Sequence, residues 1–359
     1  MRKISPVVTA RVVILAAALT GCGATHTLQD PCPAAPPASA RTVLANRSVH
    51  ELALAGNKLV YVDELAGVHL SAASASGAVF TLDLDGTHET QLYAPSASDR
   101  IIADLRARGS FVYVLEHQQD FTVTDHLLVI PVTGGSPTDL ILTSPVDSLI
   151  DVDAGAVYAF SGLTDAAARK LLRIDITSGA TTEMAAAVNL TLAQLNDGAL
   201  FYATQTSLGS NADRTISTLA VTGTTPALLS DVHCAGAFYS LANGFLCAGY
   251  FLTGGSNAAN AFALTKTDSH GAHATLWADF THLGGTPVPV GEVEGSVYVL
   301  ATGGTGSFLK LDADAGHATA IACKRNDFSQ RTSTHRPEVV VGDIDAFWIE
   351  GTNIFAAAR

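Results

Sequence analysis

The feature that most constrains this chain is a motif that recurs seven times. A turn residue, usually Gly, leads into apolar positions that end on an anchor, aromatic in six copies and Cys in one. The copies are Gly56–Tyr61, Gly109–Tyr113, Gly155–Tyr158, Gly198–Tyr202, Gly244–Cys247, Gly295–Tyr298 and Asp345–Trp348. The anchors at 61, 113, 158, 202, 247, 298 and 348 stand 44 to 52 residues apart. Each of the first six copies is followed by another strand-like run and a tight turn, as in Val79–Gly86, Leu127–Gly134, Leu171–Gly179 and Ser307–Gly316. The closing Gly suits the positive φ that a hairpin turn requires. A fourth short run comes next, such as Thr90–Tyr93 or Ala318–Ala322. No segment carries the 3.6-residue period of an amphipathic helix. Four short strands in a unit of this length make one blade of a β-propeller. The expected fold is therefore all-β: a seven-bladed β-propeller of four-stranded blades over residues 41–359.

The seventh repeat is one strand short, because the chain stops at Asn353–Arg359 after three strands. A spare strand lies at the other end, Arg41–Arg47, ahead of the first complete repeat. Pairing of 42–46 with 353–358 closes the ring and removes an open sheet edge. In this organisation the chain resembles exported bacterial propellers with TolB-like and quinoprotein-like repeats. The resemblance is one of architecture and implies no site residue.

The N-terminus gives an address. Arg2, Lys3 and Arg11 precede an apolar run, Val12–Leu19, far short of the ~20 residues that span a bilayer. The run ends in Leu19-Thr20-Gly21-Cys22, a match to the Leu-small-small-Cys box of bacterial lipoproteins. Residues 1–21 read as a lipoprotein signal peptide, with Cys22 as the lipidated first residue. Residues 22–40, rich in Pro and Ala, read as a tether. Gly23 replaces the aspartate that favours inner-membrane retention in enterobacteria, so an outer-membrane address is preferred. The leader carries three cations and no acids, which leaves 17 Lys and Arg against 33 Asp and Glu. A net charge of −16 argues against nucleic acid and against broad docking on anionic lipid. Membrane attachment is expected through the acyl chains on Cys22, and the protein is expected to be a monomer.

Four cysteines remain in the processed chain, Cys32, Cys234, Cys247 and Cys323, and an oxidising compartment favours pairing them. Three connectivities are open. Spacing favours a local Cys234–Cys247 bridge, which leaves Cys32 with Cys323; four buried thiols are the alternative.

Catalytic signatures are scarce. There is no Gly-x-Ser-x-Gly elbow, and the glycine pairs open no helix that would cradle a phosphate. His270 and His273 have a chelating spacing but no third ligand nearby, so no metal and no cofactor are expected. Asp83-x-Asp85-Gly86 and Asp312-x-Asp314 have the first acids of a calcium loop without its closing glutamate, and read as turns. Two segments stand out by position. Residues 115–126, between the second and third strands of the second repeat, gather Glu116, His117, Asp120 and His126. Residues 324–337 hold Lys324, Arg325, Arg331 and Arg336 between the sixth and seventh repeats. Both are expected on the ligand-bearing face of the ring. The sequence thus points to a non-catalytic binding or assembly module of the envelope, taking a protein, peptide or glycan. The alternative is a propeller enzyme, such as a glycan lyase or hydrolase, with its site at the channel mouth.

Overall fold

The computed structural model describes residues 28, 31–32, 40–63, 77–95, 100–118, 125–162, 169–186, 190–205, 214–223, 226–234, 238–248, 263–268, 275–283, 285–302, 306–323 and 339–359. They form seven four-stranded antiparallel sheets arranged as a seven-bladed β-propeller. The chain enters through β1 (Arg41–Leu44). Blade one is β2 (Val49–Ala55), β3 (Lys58–Asp63), β4 (Ala78–Asp83) and β5 (Thr90–Tyr93). Blade two is β6 (Arg100–Arg108), β7 (Phe111–Gln118), β8 (His126–Pro131) and β9 (Thr138–Ile141). Blade three follows with β10 (Ser148–Val152), β11 (Ala156–Ser161), β12 (Lys170–Asp175) and β13 (Thr181–Ala186). Blade four has β14 (Leu190–Asn196), β15 (Ala199–Gln205), β16 (Arg214–Ala220) and β17 (Ala227–Cys234). Blade five has β18 (Phe238–Leu241), β19 (Gly244–Ala248), β20 (Ala263–Thr267) and β21 (Thr275–Asp279). Blade six has β22 (Thr286–Val293), β23 (Ser296–Thr302), β24 (Ser307–Leu311) and β25 (Ala318–Cys323). Blade seven ends the chain with β26 (Val339–Val341), β27 (Asp345–Glu350) and β28 (Asn353–Ala358).

The first strand of every blade packs against the first strand of the next, including β26 against β2, so these seven strands form the inner ring. Alternation of strand direction then sorts the connections. Outer-to-inner links between blades and second-to-third strand links leave from one face, called here the mouth face.

Closure is as expected. β1 adds to β28 as the outer strand of blade seven, with Arg41 opposite Ala356, Thr42 opposite Phe355 and Leu44 opposite Ile354. Arg41 reinforces the seam by bonding Asp345 of blade seven at 2.7 Å and the Leu84 carbonyl of blade one at 3.1 Å. Gly86, in the last turn of blade one, is required where the seam is tightest. Its φ is +91°, and a Cβ there would sit 2.3 Å from the Val43 carbonyl oxygen.

Seven apolar clusters fill the seven gaps between blades. Second strands are buried on both sides, which is why they read as unbroken apolar runs. In β3, Leu59 and Tyr61 pack toward blade seven, while Val60 and Val62 pack toward blade two.

All seven anchors lie on second strands, but they do not face one way. Tyr113, Tyr158 and Tyr298 stand two residues into their strands and pack against the following blade. Tyr61, Tyr202, Cys247 and Trp348 stand three residues in and pack against the preceding one. A motif that recurs at a blade-length period leads one to expect equivalent positions on successive second strands, and the structure corrects that expectation. The period of side-chain direction along a strand is two, so one residue of offset turns the anchor to the opposite face. Where a forward-facing anchor is followed by a backward-facing one, two aromatics share a gap. Tyr158 meets Tyr202's cluster, and Tyr298 meets that of Trp348.

Candidate functional site

Residues at the mouth-face end of blade two were the sequence candidates, and strand parity decides where each one goes. β7 runs to Gln118 and β8 begins at His126, so Glu116, His117 and His126 are strand residues and not loop residues. Val112 and Val114 face blade one, and Glu116 continues that face. It is 1% exposed and lies against the outer strand of blade one. The Tyr93 hydroxyl donates to its Oε1 at 2.7 Å, and Arg100 Nη1 donates to Oε2 at 3.2 Å. Burial raises the Glu116 carboxyl above the usual range, although the Tyr93 hydrogen bond and the Arg100 charge oppose the shift. Burial also raises the Tyr93 phenol, and its bond to Glu116 adds to the shift.

His126 belongs to the same cluster. Its Nδ1 lies 2.7 Å from Asp139 Oδ1, and Arg100 Nη2 lies 3.3 Å from its Nε2. His126 thus sits between Asp139 on one ring nitrogen and Arg100 on the other. His117 follows the opposite parity, that of Tyr113 and Leu115, and faces blade three. Its Nδ1 meets Asp125 Oδ1 at 2.8 Å, while Asp125 Oδ2 accepts the Val146 N–H at 2.7 Å. The four sequence candidates in this segment therefore divide. Glu116 and His126 converge, His117 lies on the other side of the blade, and Asp120 lies outside the described residues. Arg325, Arg331 and Arg336 also lie outside them, as do Cys22, His270 and His273.

A second cluster of the same kind caps the neighbouring gap. Leu59, Tyr61 and Asp63 share one face of β3, toward blade seven. Asp63 accepts Arg47 Nη1 at 3.2 Å and the Ser48 N–H at 2.9 Å. Arg47 also bonds Glu89 at 2.7 Å, and Glu89 accepts the Tyr61 hydroxyl. In both gaps an arginine at the start of the blade meets a buried acid at the end of its second strand, and a tyrosine completes the set. The blade-two set is an inter-blade bracket, joined to blade one through Tyr93, whereas the partners of Asp63 belong to blade one and the link into it. Each carboxylate oxygen of Glu116 and of Asp63 thus meets a donor from within the protein.

The inner ring carries a third set, which sequence reasoning missed. Leu105 N–H of blade two donates to Glu51 Oε2 of blade one at 2.8 Å. Leu149 N–H of blade three donates to Asp104 Oδ2 of blade two at 2.7 Å. Arg106 reaches the carbonyls of Leu149 at 2.6 Å and Ile150 at 3.1 Å. Farther round, Gln194 of blade four accepts Ser240 N–H at 2.7 Å, and Glu292 of blade six accepts Ala242 N–H at 3.0 Å. In the folded chain a bulge recurs in these first strands and precedes Glu51, Asp104 and Asp151 alike. Glu51 is pushed up to about 8, mainly by burial, with the Asp104 charge adding and Arg106 opposing.

The remaining candidates resolve simply. Asp85 Oδ1 accepts Thr87 N–H at 2.9 Å and Asp314 Oδ1 accepts Gly316 N–H at 2.9 Å, so both acidic motifs are Asx turns. Among the described residues, no group of three His, Cys, Asp or Glu is arranged to hold a metal ion. Cys32 and Cys323 form a disulfide, as expected. Cys247 is disulfide-bonded as well, and the side chain of Cys234 is outside the described residues.

No protein-family model matches the chain, and no curated protein matches it. Solved structures do. The propeller domain of the Trilobed protease from Pyrococcus furiosus, described as having an open velcro topology, superposes with a TM-score of 0.61 at 11% identity. That match covers 87% of this chain and 95% of the other. YCF48 bound to D1 peptide matches at TM-score 0.56 and 9% identity, over 93% of this chain and 100% of its own. Oligogalacturonate lyase in complex with manganese matches at 0.54 and 12%, over 91% and 94%. At these identities the likeness is one of fold, which a protease's propeller domain, a peptide-bound protein and a lyase share.

Proposed function

We propose that this chain is a lipoprotein of the bacterial cell envelope, anchored through Cys22, whose propeller is a non-catalytic binding or assembly module. Its ligand is a protein, peptide or glycan held on the mouth face. The observation that carries the reading is that two buried acids at the mouth-face ends of second strands, Glu116 and Asp63, each have both carboxylate oxygens engaged by donors from the protein itself. Export is supported by the leader, by the Leu-Thr-Gly-Cys box and by the Cys32–Cys323 disulfide, a bond that suits an oxidising compartment. The basic connection is bounded by the mouth-face ends of β25 and β26, and the blade-two connection by those of β7 and β8. The outer membrane is the preferred address.

Two measurements test this. Radiolabelled palmitate should enter the wild type and not Cys22→Ala; equal labelling overturns the anchor. On an array of peptides and glycans, Arg331→Ala combined with Arg336→Ala should abolish binding with little change in melting temperature. Glu116→Gln should leave binding intact and lower stability by about 1–3 kcal/mol, because Arg100 loses its ionised partner. Turnover of a glycan that Glu116→Gln abolishes would establish the enzyme instead.

A further inference from the structure

The segment ahead of β1 does more than trail from the ring. Leu28 N–H donates to the Asp279 carbonyl at 3.1 Å, at the mouth-face end of the outer strand of blade five. Its side chain is 3% exposed and joins the apolar cluster between blades five and six. Cys32 is bonded to Cys323, at the mouth-face end of the outer strand of blade six. The Ser307 hydroxyl reaches the Cys32 sulfur at 3.5 Å and must be the donor, since a disulfide sulfur carries no proton. The chain is thus strapped across two blades before it reaches blade seven.

The strap moves the point at which the chain leaves the ring. Cys22 lies nineteen residues before Arg41 but six before Leu28. Extended chain spans at most ~3.5 Å per residue, so these separations reach about 65 Å and about 20 Å. The longer tether would let a lipid-anchored ring present any edge to the bilayer, whereas the shorter one holds it by a single place. We infer that the outer rim of blades five and six, at its mouth-face corner, is the edge of the propeller held against the lipid surface. This rests on the reading of Cys22 as the anchor. Blades one and two then stand across the ring, away from the membrane. The surface nearest Leu28 includes the exposed Thr281 and His282, in the short 3₁₀ turn Thr281–Leu283. The net charge of −16 offers no broad attraction to anionic headgroups, so strap and acyl chains set the orientation.

The test uses full-length lipidated protein in vesicles of phosphatidylethanolamine and phosphatidylglycerol containing a headgroup nitroxide lipid. A fluorophore is attached in turn at His282→Cys and at Ile141→Cys, an exposed site on the outer strand of blade two. Quenching should be several-fold greater at 282 than at 141. It should become equal at the two sites when Leu28→Ser is combined with Cys32→Ser and Cys323→Ser, so that this bond leaves no thiol beside the labelled one, with the vesicle-bound fraction unchanged. Equal quenching in the unstrapped and the strapped protein alike, with the protein floating on vesicles, overturns the orientation and leaves the anchor standing. A difference that persists without the strap also overturns it. Failure of the protein to float overturns the anchor, and the orientation with it.

Discussion

The Cys32–Cys323 bond closes almost the whole ring covalently, and its removal is a measurable test of how the ring is held. The perturbation is Cys32→Ser with Cys323→Ser, which leaves no stray thiol. The two residues are 291 apart in sequence. Loop-closure entropy for that separation corresponds to ~5.7 kcal/mol at 25 °C, which is an upper bound because denatured chains retain structure and native strain subtracts. We expect a loss of about 3–5 kcal/mol, within the range found on deleting native disulfides. Pairing of β1 with β28 does not reduce this figure, because that pairing is absent from the unfolded chain whose entropy the bond restricts. At roughly 2 °C per kcal/mol for a chain of this size, the melting temperature should fall by about 6–10 °C. Circular dichroism melts of the oxidised variant and of oxidised wild type should show this drop, and wild type under reductant should fall further because the bond at Cys247 is lost as well. Leu28→Ala, made in the oxidised protein, separates the packing of the strap from the bond; it should cost about 2 kcal/mol or more by loss of burial. A fall below 2 °C in the disulfide variant would refute the entropic argument. A drop much larger than 10 °C would show that the bond organises native packing around Leu28.

Two further outcomes follow from the inner ring and the seam. Glu51 binds its proton more tightly folded, at about 8, than the ordinary value of 4.5. Its contribution to stability is therefore full below pH 4.5 and is lost as pH rises through about 8. Wild-type melting temperature should decline over that window, and Glu51→Gln, whose amide replaces the protonated carboxyl, should flatten the decline; an unchanged slope would remove Glu51 from the account. Gly86→Ala forces a Cβ onto a backbone with φ +91° and within 2.3 Å of the Val43 carbonyl. It should cost at least ~2 kcal/mol and speed amide exchange in residues 41–44; unaltered exchange there would show that the seam does not depend on this glycine.

The candidate site was only half legible. Glu116, His117 and His126 were picked out as one group because they are close in sequence and polar. Parity then separated them, since 116 and 126 face blade one and 117 faces blade three. The partners that define the bracket, Tyr93 and Arg100, lie in different blades and carry no motif that ties them to Glu116. The inner-ring bonds were hidden for a similar reason. Glu51 and Leu105 are 54 residues apart, and only ring geometry brings adjacent first strands together.

What the chain alone determined was number and closure. Seven anchors at a blade-length period, with three strands at one end and a spare at the other, admit one closed ring, because an unpaired edge is costly and the spare strand removes it. Its cysteines also indicated the Cys32–Cys323 bond. Tertiary structure decided direction: which face each anchor buries, which acids become brackets, and where the N-terminal segment is fastened. Those outcomes turn on single-residue offsets at strand starts and on contacts between segments distant in sequence. A local pattern records that a strand is buried on both sides, and it does not record which neighbour lies on each.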